Sequence, residues 1–367
     1  MSSILSSNFS LLSFTISAAL NPYLTVPLLL LLAKTPPSLH EQLLRRLSPS
    51  SLLKVQRALP TIIKTLKWLV SLGLIGSVSR VLNQAALNGW RFRTLKERKR
   101  WNWEKEVAVV TGGSSGIGEA VAKLLVARGV RVAVVDVLPL GEEAEKDPHI
   151  THFPCDLTSP TAITSTAALI RETLGNPSIL INNAGIAKSH SILATSDDFL
   201  RKMFAVNLFS HWSTVREFLP DMIKTNKGHV VSIASLASYV TLAGMADYAA
   251  AKAGVLAFNE GLNQELRALY HAPDVLTTSV HPTFAATALT KEWQSTLEGN
   301  GATILTKEAV AEAVVEQVFS CRGGQLVIPG RVGWMTMMKG LPNWAQEVLR
   351  DGGSRGVMDA RGRLMGT

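Results

Sequence analysis

Val107-Ala108-Val109-Val110-Thr111-Gly112-Gly113-Ser114-Ser115-Gly116-Ile117-Gly118 is the stretch from which the rest of the chain can be read. Val107–Thr111 is a short β-branched run of the kind that forms a buried strand. The glycines that follow have the spacing G-x-x-x-G-x-G, and a helical stretch from Glu119 to Arg128 comes next. Glycine in a strand–turn–helix lets the backbone approach a pyrophosphate, and the helix N-terminus offers it unpaired N–H groups. Gly112, Ser114, Ser115, Gly116, Ile117 and Gly118 are therefore candidate ligand contacts.

Working outward, short β-branched runs alternate with longer helical stretches as far as residue 330. The predicted strands are Val107–Thr111, Val130–Val135, Thr151–Cys155, Ser178–Ile181, His229–Ala234, Leu276–His281 and Gln325–Ile328. This pattern implies an α/β fold, a doubly wound (Rossmann) parallel seven-stranded sheet with its ligand crevice at the carboxyl ends of the strands. The second strand ends near Asp136, eighteen residues after Gly118. An acid there can accept hydrogen bonds from the adenosine ribose hydroxyls of a dinucleotide and would repel a 2′-phosphate. No Lys or Arg in the glycine turn offsets that charge, so NAD is favoured over NADP. The simpler reading of Asp136 is a strand-end acid capping a turn.

Tyr248-Ala249-Ala250-Ala251-Lys252 opens an alanine-rich helical stretch, which puts Tyr248 and Lys252 on one helix face. A Lys ammonium beside a phenol favours the phenolate and suits Tyr to acid–base work on an alcohol/carbonyl pair. Tyr-x-x-x-Lys alone is equally an exposed helix face. Ser235, thirteen residues before Tyr248, follows a predicted strand and can bond a substrate oxygen. Asn207, 28 residues before Ser235, lies in a helical stretch, where Asn is usually solvated or marks a kink.

Thr111–Gly118, Asn182-Asn183-Ala184-Gly185, Asn207, Ser235 and Tyr248/Lys252, in this order and spacing over residues 106–330, resemble the short-chain dehydrogenase/reductase family. The resemblance implies a catalytic set of Tyr248 as acid/base, Lys252 tuning it and holding the nicotinamide ribose, Ser235 orienting the substrate oxygen and Asn207 placing a water in a proton relay. It further implies cofactor contacts at Asn183, Ala184, Gly185, Asp156, Leu157 and Thr287. One departure is Thr283, which follows His281-Pro282 where the family commonly has Gly. The branch containing membrane-associated retinol and 17β-hydroxysteroid dehydrogenases is the most similar.

The 367 residues hold 37 Lys/Arg and 28 Asp/Glu, a net charge of +9. Residues 1–105 hold fifteen Lys/Arg against three acids, so the excess lies outside the catalytic region, which is slightly acidic. Leu11–Ala33 is a 23-residue uncharged apolar stretch, long enough to span a bilayer. No Lys or Arg precedes it, so a retained segment fits better than a cleaved signal peptide. A second stretch, Leu59–Leu82, is interrupted by Lys64, Lys67 and Arg80. It reads as a helix lying in the membrane interface, or one packed on the enzyme body. The run Arg91–Arg100, followed by Trp101 and Trp103, suits a membrane surface better than a nucleic acid. Cys155 and Cys321 form no C-x-x-C pair, so no metal site is expected.

These readings divide the chain into a membrane-anchoring and basic segment (1–105), an NAD-binding dehydrogenase domain (106–330) and a C-terminal extension (331–367). The extension, with its Trp334–Leu341 run, is either a substrate-gating or membrane-dipping piece or an ordinary packed edge. The expected function is interconversion of an alcohol and a carbonyl on a lipophilic substrate such as a retinoid, steroid or long-chain alcohol. Expected partners are that substrate and membrane lipid, with a homodimer at the level of the family and no nucleic acid. The expected location is the endoplasmic reticulum or a lipid droplet, with the catalytic domain in the cytosol. The alternative is a catalytically inactive scaffold on the same fold, against which the complete Asn207/Ser235/Tyr248/Lys252 set argues.

Overall fold

The computed structural model describes residues 18–34, 49–91, 99–291, 293–300 and 302–358. They fall into two compact units, one ending at Ala85 and one beginning at Ala86.

The first unit contains helix α1 (Pro22–Lys34) and most of helix α2 (Pro49–Leu87). The apolar stretch from Leu11 is not a single helix through Asn21, and its residues 11–17 lie outside the described ones. Pro22 has no N–H to continue a helix from the preceding turn, and Asn21 Oδ1 accepts the Tyr23 N–H at 3.0 Å. The thirteen residues of α1 rise about 20 Å, short of a hydrocarbon core of about 30 Å. Among the described residues, the helix long and apolar enough to cross a membrane, by length and composition, is Arg57–Leu87 within α2. Trp68, Leu72, Ile75 and Val78 are exposed along it. The hydroxyls of Thr65, Ser71 and Ser77 bond carbonyls four residues back, at 2.8–2.9 Å, which meets their polar needs inside the helix. Gly73 lies against Leu20: a Cβ there would come within 2.3 Å of the Leu20 carbonyl oxygen.

The second unit is built on strands β1 (Val107–Thr111), β2 (Arg131–Asp136), β3 (Ile150–Pro154), β4 (Ile179–Asn182), β5 (Gly228–Ile233), β6 (Val275–Pro282) and β7 (Gly324–Ile328). All pairs are parallel, in the order β3-β2-β1-β4-β5-β6-β7. The predicted strands each agree to within one residue at either end. The direction of winding reverses between β1 and β4, which opens a crevice at their carboxyl ends. Around the sheet lie α3 (Gly116–Val126), α4 (Glu142–Glu145), α5 (Pro160–Leu174), α6 (Asp197–Phe204), α7 (Ser210–Thr225), α8 (Ala246–Ala268), α9 (Gln294–Gly299), α10 (Lys307–Phe319) and α11 (Asn343–Gly356).

Alternation along the strands serves two cores. Ala108, Val110, Val132 and Val134 pack with Val121 and Leu125 of α3 and Val314 and Val318 of α10. Val109, Ala133, Val135 and Leu180 face the other way, onto Ile163 of α5, Phe218 and Met222 of α7 and Leu262 and Leu266 of α8.

The basic run and its aromatics behave differently from the sequence reading where they are described. Trp101 is buried and stacks on Trp103 at 5.2 Å, and Trp103 packs on Phe319. Arg91 and Arg100 each pair with Asp274 at 2.9 Å. These residues serve the packing of the sheet's amino-terminal edge; residues 92–98 lie outside the described ones. The segment after residue 330 is folded onto the body. Its 3-10 run Gly330–Gly340 buries Met338 against Tyr239 and Val240, with Met335 and Leu349 alongside.

Candidate active site

The glycine turn leaves β1 and enters α3 three residues earlier than predicted. Gly112 and Gly116 have φ of 63° and 59°, the left-handed region where a side chain is strained. A Cβ on Gly118 would lie 2.2 Å from the Gly112 carbonyl oxygen and 2.5 Å from Asn183 Nδ2, so no larger residue fits. Asn183 holds this turn to the end of β4. Its Nδ2 donates to the Thr111 and Gly112 carbonyls at 3.0 and 3.1 Å. In return, Thr111 Oγ1 accepts the Asn183 and Ala184 N–H groups. No side chain caps α3 at Ser115, and Ile117 turns its side chain onto the core. Thr287 comes over the turn from the loop after β6, its Cγ2 about a van der Waals contact from where a Gly116 Cβ would be.

Asp136, at the end of β2, accepts the Ser114 N–H on Oδ2 and the Leu138 N–H on Oδ1, both at 3.0 Å. Ser114 Oγ closes the loop by donating to the Leu138 carbonyl at 2.7 Å. Each carboxylate oxygen retains capacity for a further donor. Asp136 is thus both the turn-capping acid and a group available to a ligand. Asp156 is exposed, and bonds from the Thr158 N–H and hydroxyl hold its carboxyl below the usual carboxylate range. Leu157 buries its side chain in the core, leaving its backbone for any cofactor contact.

Asn207 is neither solvated nor a simple kink. It sits in a π-helical turn, Ala205–Phe209, between α6 and α7. A π-turn inserts one extra residue and re-aims the side chain. Fully buried, Asn207 clamps the backbone of Ile186, with Oδ1 accepting its N–H at 2.7 Å and Nδ2 donating to its carbonyl at 2.8 Å. Gly185 passes between two of the candidates: a Cβ there would be 3.5 Å from Asn207 Oδ1 and 3.8 Å from Lys252 Nζ.

Ser235 follows β5 and opens a 3-10 turn, Leu236–Ser238, its Oγ accepting the Ala237 N–H at 3.1 Å. It lies close enough to the Tyr248 phenol to favour its ionised form. Lys252, one turn along α8, is buried and donates from Nζ to the Ile233 carbonyl at 2.8 Å, with Nζ 5.8 Å from the Tyr248 ring centroid. Desolvation brings its pKa down to about 8. The expected lowering of the Tyr248 pKa is reversed. Burial pushes the phenol up and outweighs the effect of Ser235, because the Lys252 ammonium is directed to Ile233.

Asn207, Ser235, Tyr248 and Lys252 therefore converge beside the glycine turn, while Asp136 and Asp156 lie at the ends of β2 and β3. Three groups were not anticipated. His281 bonds the Ser235 carbonyl, His190 Nε2 bonds Asp247 Oδ2 at 3.1 Å just before Tyr248, and His211 is buried one helical turn after Asn207. Helix spacing from Asn207 was the available signal for His211; the other two depend on long-range pairing.

A doubly wound sheet with a glycine cradle at its switch point and a Tyr/Lys pair beside it defines a dinucleotide-dependent oxidoreductase. The short chain dehydrogenase family matches over residues 106–298. Dehydrogenase RED2 of Cochliobolus heterostrophus is 35% identical over 212 residues, covering 58% of this chain and 78% of that protein. Estradiol 17-beta-dehydrogenase 11 of Rattus norvegicus is 29% identical over 253 residues, 67% of this chain and 83% of the relative. Retinol dehydrogenase 10-B of Xenopus laevis is 29% identical over 194 residues, 44% and 57% respectively. Among solved structures, ligand-free aldohexose dehydrogenase from Thermoplasma acidophilum shares the fold, with a TM-score of 0.53, 23% identity and coverage of 62% of this chain and 94% of that one. The chain belongs to the short-chain dehydrogenase/reductase family and resembles its retinol and steroid dehydrogenase branch.

Proposed function

We propose that this enzyme interconverts an alcohol and a carbonyl on a lipophilic substrate with NAD(H), using Tyr248, Lys252, Ser235 and Asn207, at a membrane to which residues 1–105 hold it. Residues 106–330 form the catalytic domain in this reading and residues 331–367 complete the substrate side. The observation that carries it is the approach of Asn207 and Lys252 to Gly185, with Tyr248 beside Lys252 and Ser235 beside Tyr248, at the carboxyl ends of β4 and β5.

The fit to a dinucleotide rests on the glycine cradle and on one orphaned group. Thr283 Oγ1 is buried without a hydrogen-bond partner just after β6, where the family resemblance puts the nicotinamide end. Gly112–Gly118 would hold the pyrophosphate, Asp136 the adenosine ribose, Asp156 and the Leu157 backbone the adenine, and Asn183–Gly185 with Thr287 the nicotinamide half. Asp136 favours NAD over NADP by charge. When bound, the cofactor accepts or supplies a hydride at the carbinol carbon.

The protein's share is proton transfer and positioning. Tyr248 takes the alcohol proton in oxidation and returns it in reduction. Its raised pKa suits the neutral phenol as the resting form and proton donor. Lys252, charged below a pKa of about 8, biases the phenol toward giving its proton up if Nζ turns from the Ile233 carbonyl. Ser235 holds the substrate oxygen against Tyr248. Asn207 fixes the Ile186 backbone, so that the chain after Gly185 keeps the shape the cleft needs.

A lipophilic substrate would suit the apolar packing around the chain that follows Ser235 and β6. Leu236 and Leu242 meet Met335 and Leu349, and Ala187 and Phe284 meet Trp293 and Val357. An endoplasmic reticulum or lipid-droplet membrane, a cytosolic catalytic domain and a homodimer belong to the same reading. The test is a panel of retinoids, steroids and long-chain alcohols with the detergent-solubilised full-length protein and NAD or NADP. At least one should be oxidised with NAD, and Tyr248→Phe should abolish turnover while leaving NADH affinity nearly unchanged. Wild-type turnover by the Phe variant would remove Tyr248 from the mechanism.

A further inference from the structure

His281 is fully buried in β6, and both its ring nitrogens are engaged. Nδ1 lies 3.1 Å from the Ser235 carbonyl oxygen and Nε2 lies 3.0 Å from Ser279 Oγ. A carbonyl oxygen can only accept, so Nδ1 must carry the hydrogen. In a neutral ring Nε2 is then an acceptor, and the Ser279 hydroxyl must donate to it. The two contacts together select one tautomer. The Tyr239 ring packs against the imidazole at 5.0 Å, and the Tyr239 hydroxyl is bonded by Gln325 of β7, so the ring cannot turn freely.

We propose that His281, as the neutral Nδ1–H tautomer, is a positioning residue that sets the direction of the Ser235 hydroxyl toward the substrate oxygen. The proposal rests on the assignment of Ser235 as the group that orients that oxygen.

Ser235 is the N-cap of a short 3-10 turn, and its carbonyl accepts the Ser238 N–H of that turn at 3.0 Å. It lies between the last residue of β5, at Ile233, and the 3-10 turn that starts at Leu236. Its Oγ accepts the Ala237 N–H and lies beside the Tyr248 phenol. His281 adds a second donor to the Ser235 carbonyl and ties it to β6. The same strand runs directly into Pro282 and Thr283, whose hydroxyl is unpartnered. One side chain thus ties the strand leading to the nicotinamide end to the residue that meets the substrate. Burial takes the imidazole pKa down to about 4, partly opposed by the Ser235 bond, so the ring stays neutral at ordinary working pH.

Two variants and one spectrum test this in the full-length, detergent-solubilised protein. His281→Asn keeps a donor near the Nδ1 position, whereas His281→Ala removes it. With the best alcohol of the panel, Ala should lower kcat by at least roughly tenfold with KM and NADH affinity little changed, and Asn should recover most of the loss. Undiminished kcat in Ala, or a folded Asn variant as impaired as Ala, would overturn the proposal. The spectrum needs no turnover: in ¹⁵N-histidine-labelled wild type, the resonance lost in His281→Asn should show a protonated Nδ1 and a bare Nε2. That pattern should hold from about pH 6 to 8. The opposite tautomer, or a charged ring, would overturn the proposal even if no alcohol in the panel is a substrate. Failure of the panel with the expected tautomer present would count against the substrate reading instead.

Discussion

Asp136 carries a prediction at the scale of one residue. Its carboxylate holds the Ser114 and Leu138 N–H groups at 3.0 Å, so Asp136→Ser loosens the turn as well as removing the charge that would repel a 2′-phosphate. A hydrogen bond to a charged group is worth about 1.5–3 kcal/mol, so the NAD over NADP ratio of kcat/KM should fall by about tenfold or more. A wild type that already prefers NADP would refute the role given to Asp136. The candidate residues could be read from the sequence because their signals are local: i,i+4 spacing for Tyr248 and Lys252, a strand end for Asp136. Their partners could not. Asn207 was located, but its clamp on Ile186 needs a π-turn that no periodicity announces. The direction of the Tyr248 shift was misjudged because spacing reports proximity to Lys252 and is blind to burial and to the competing Ile233 carbonyl.

Elements were legible where hydrophobic pattern and turn chemistry agree, which is why all seven strands were placed to within a residue. The amino-terminal helices were less so, because an apolar run reports composition and not continuity. Asn21-Pro22 breaks such a run before α1, while the stretch holding Lys64, Lys67 and Arg80 is helical, as expected, but belongs to a much longer helix, Pro49–Leu87. The glycine turn is the element whose sequence and geometry match most closely, and Gly118→Ala tests it. The added methyl would meet the Gly112 carbonyl at 2.2 Å and Asn183 Nδ2 at 2.5 Å, two groups already committed to each other. Overpacking of this kind costs about 1–3 kcal/mol. NADH affinity should fall at least tenfold by fluorescence titration, as the turn and the Asn183 clamp separate. A variant with unchanged affinity would mean the turn relaxes without reaching the ligand.

At the scale of the whole molecule, two buried histidines link stability to pH. Desolvation lowers the pKa of His211 to about 3 and of His281 to about 4, against 6.5 unfolded. The unfolded chain therefore binds more protons between pH 4 and 6.5, and stability should fall as pH falls through that window, by up to about 2.7 kcal/mol per pH unit if both contribute fully. Denaturant melts at pH 7 and 5 should differ in midpoint in that direction, and replacement of His211 by Gln should reduce the difference; equal midpoints would remove the linkage. If the protein is held at a membrane as proposed, the other whole-molecule property is the side on which the catalytic unit lies. Lys34, Arg45, Arg46, Lys54 and Arg57 follow the first apolar stretch, and Lys or Arg excess marks the cytosolic side. The long helix Arg57–Leu87 reopens the question, because a second crossing would return the catalytic unit to the other side. Lys64, Lys67 and Arg80 oppose a crossing, at roughly 2.5–3.5 kcal/mol for each charge near the bilayer centre. Close approach of Gly73 to Leu20 favours α2 and the chain before α1 dipping into one leaflet together, from the cytosolic face. A tag at the carboxyl terminus should then be digested by protease added to intact microsomes, and the sequon Asn8-Phe9-Ser10 should stay unglycosylated. Glycosylation there with a digested tag would replace the hairpin by a single span and keep the cytosolic placement. A protected tag would overturn that placement, and Gly73→Leu, which should release part of the protein from the membrane fraction if the two segments enter as a pair, separates the hairpin from two independent contacts.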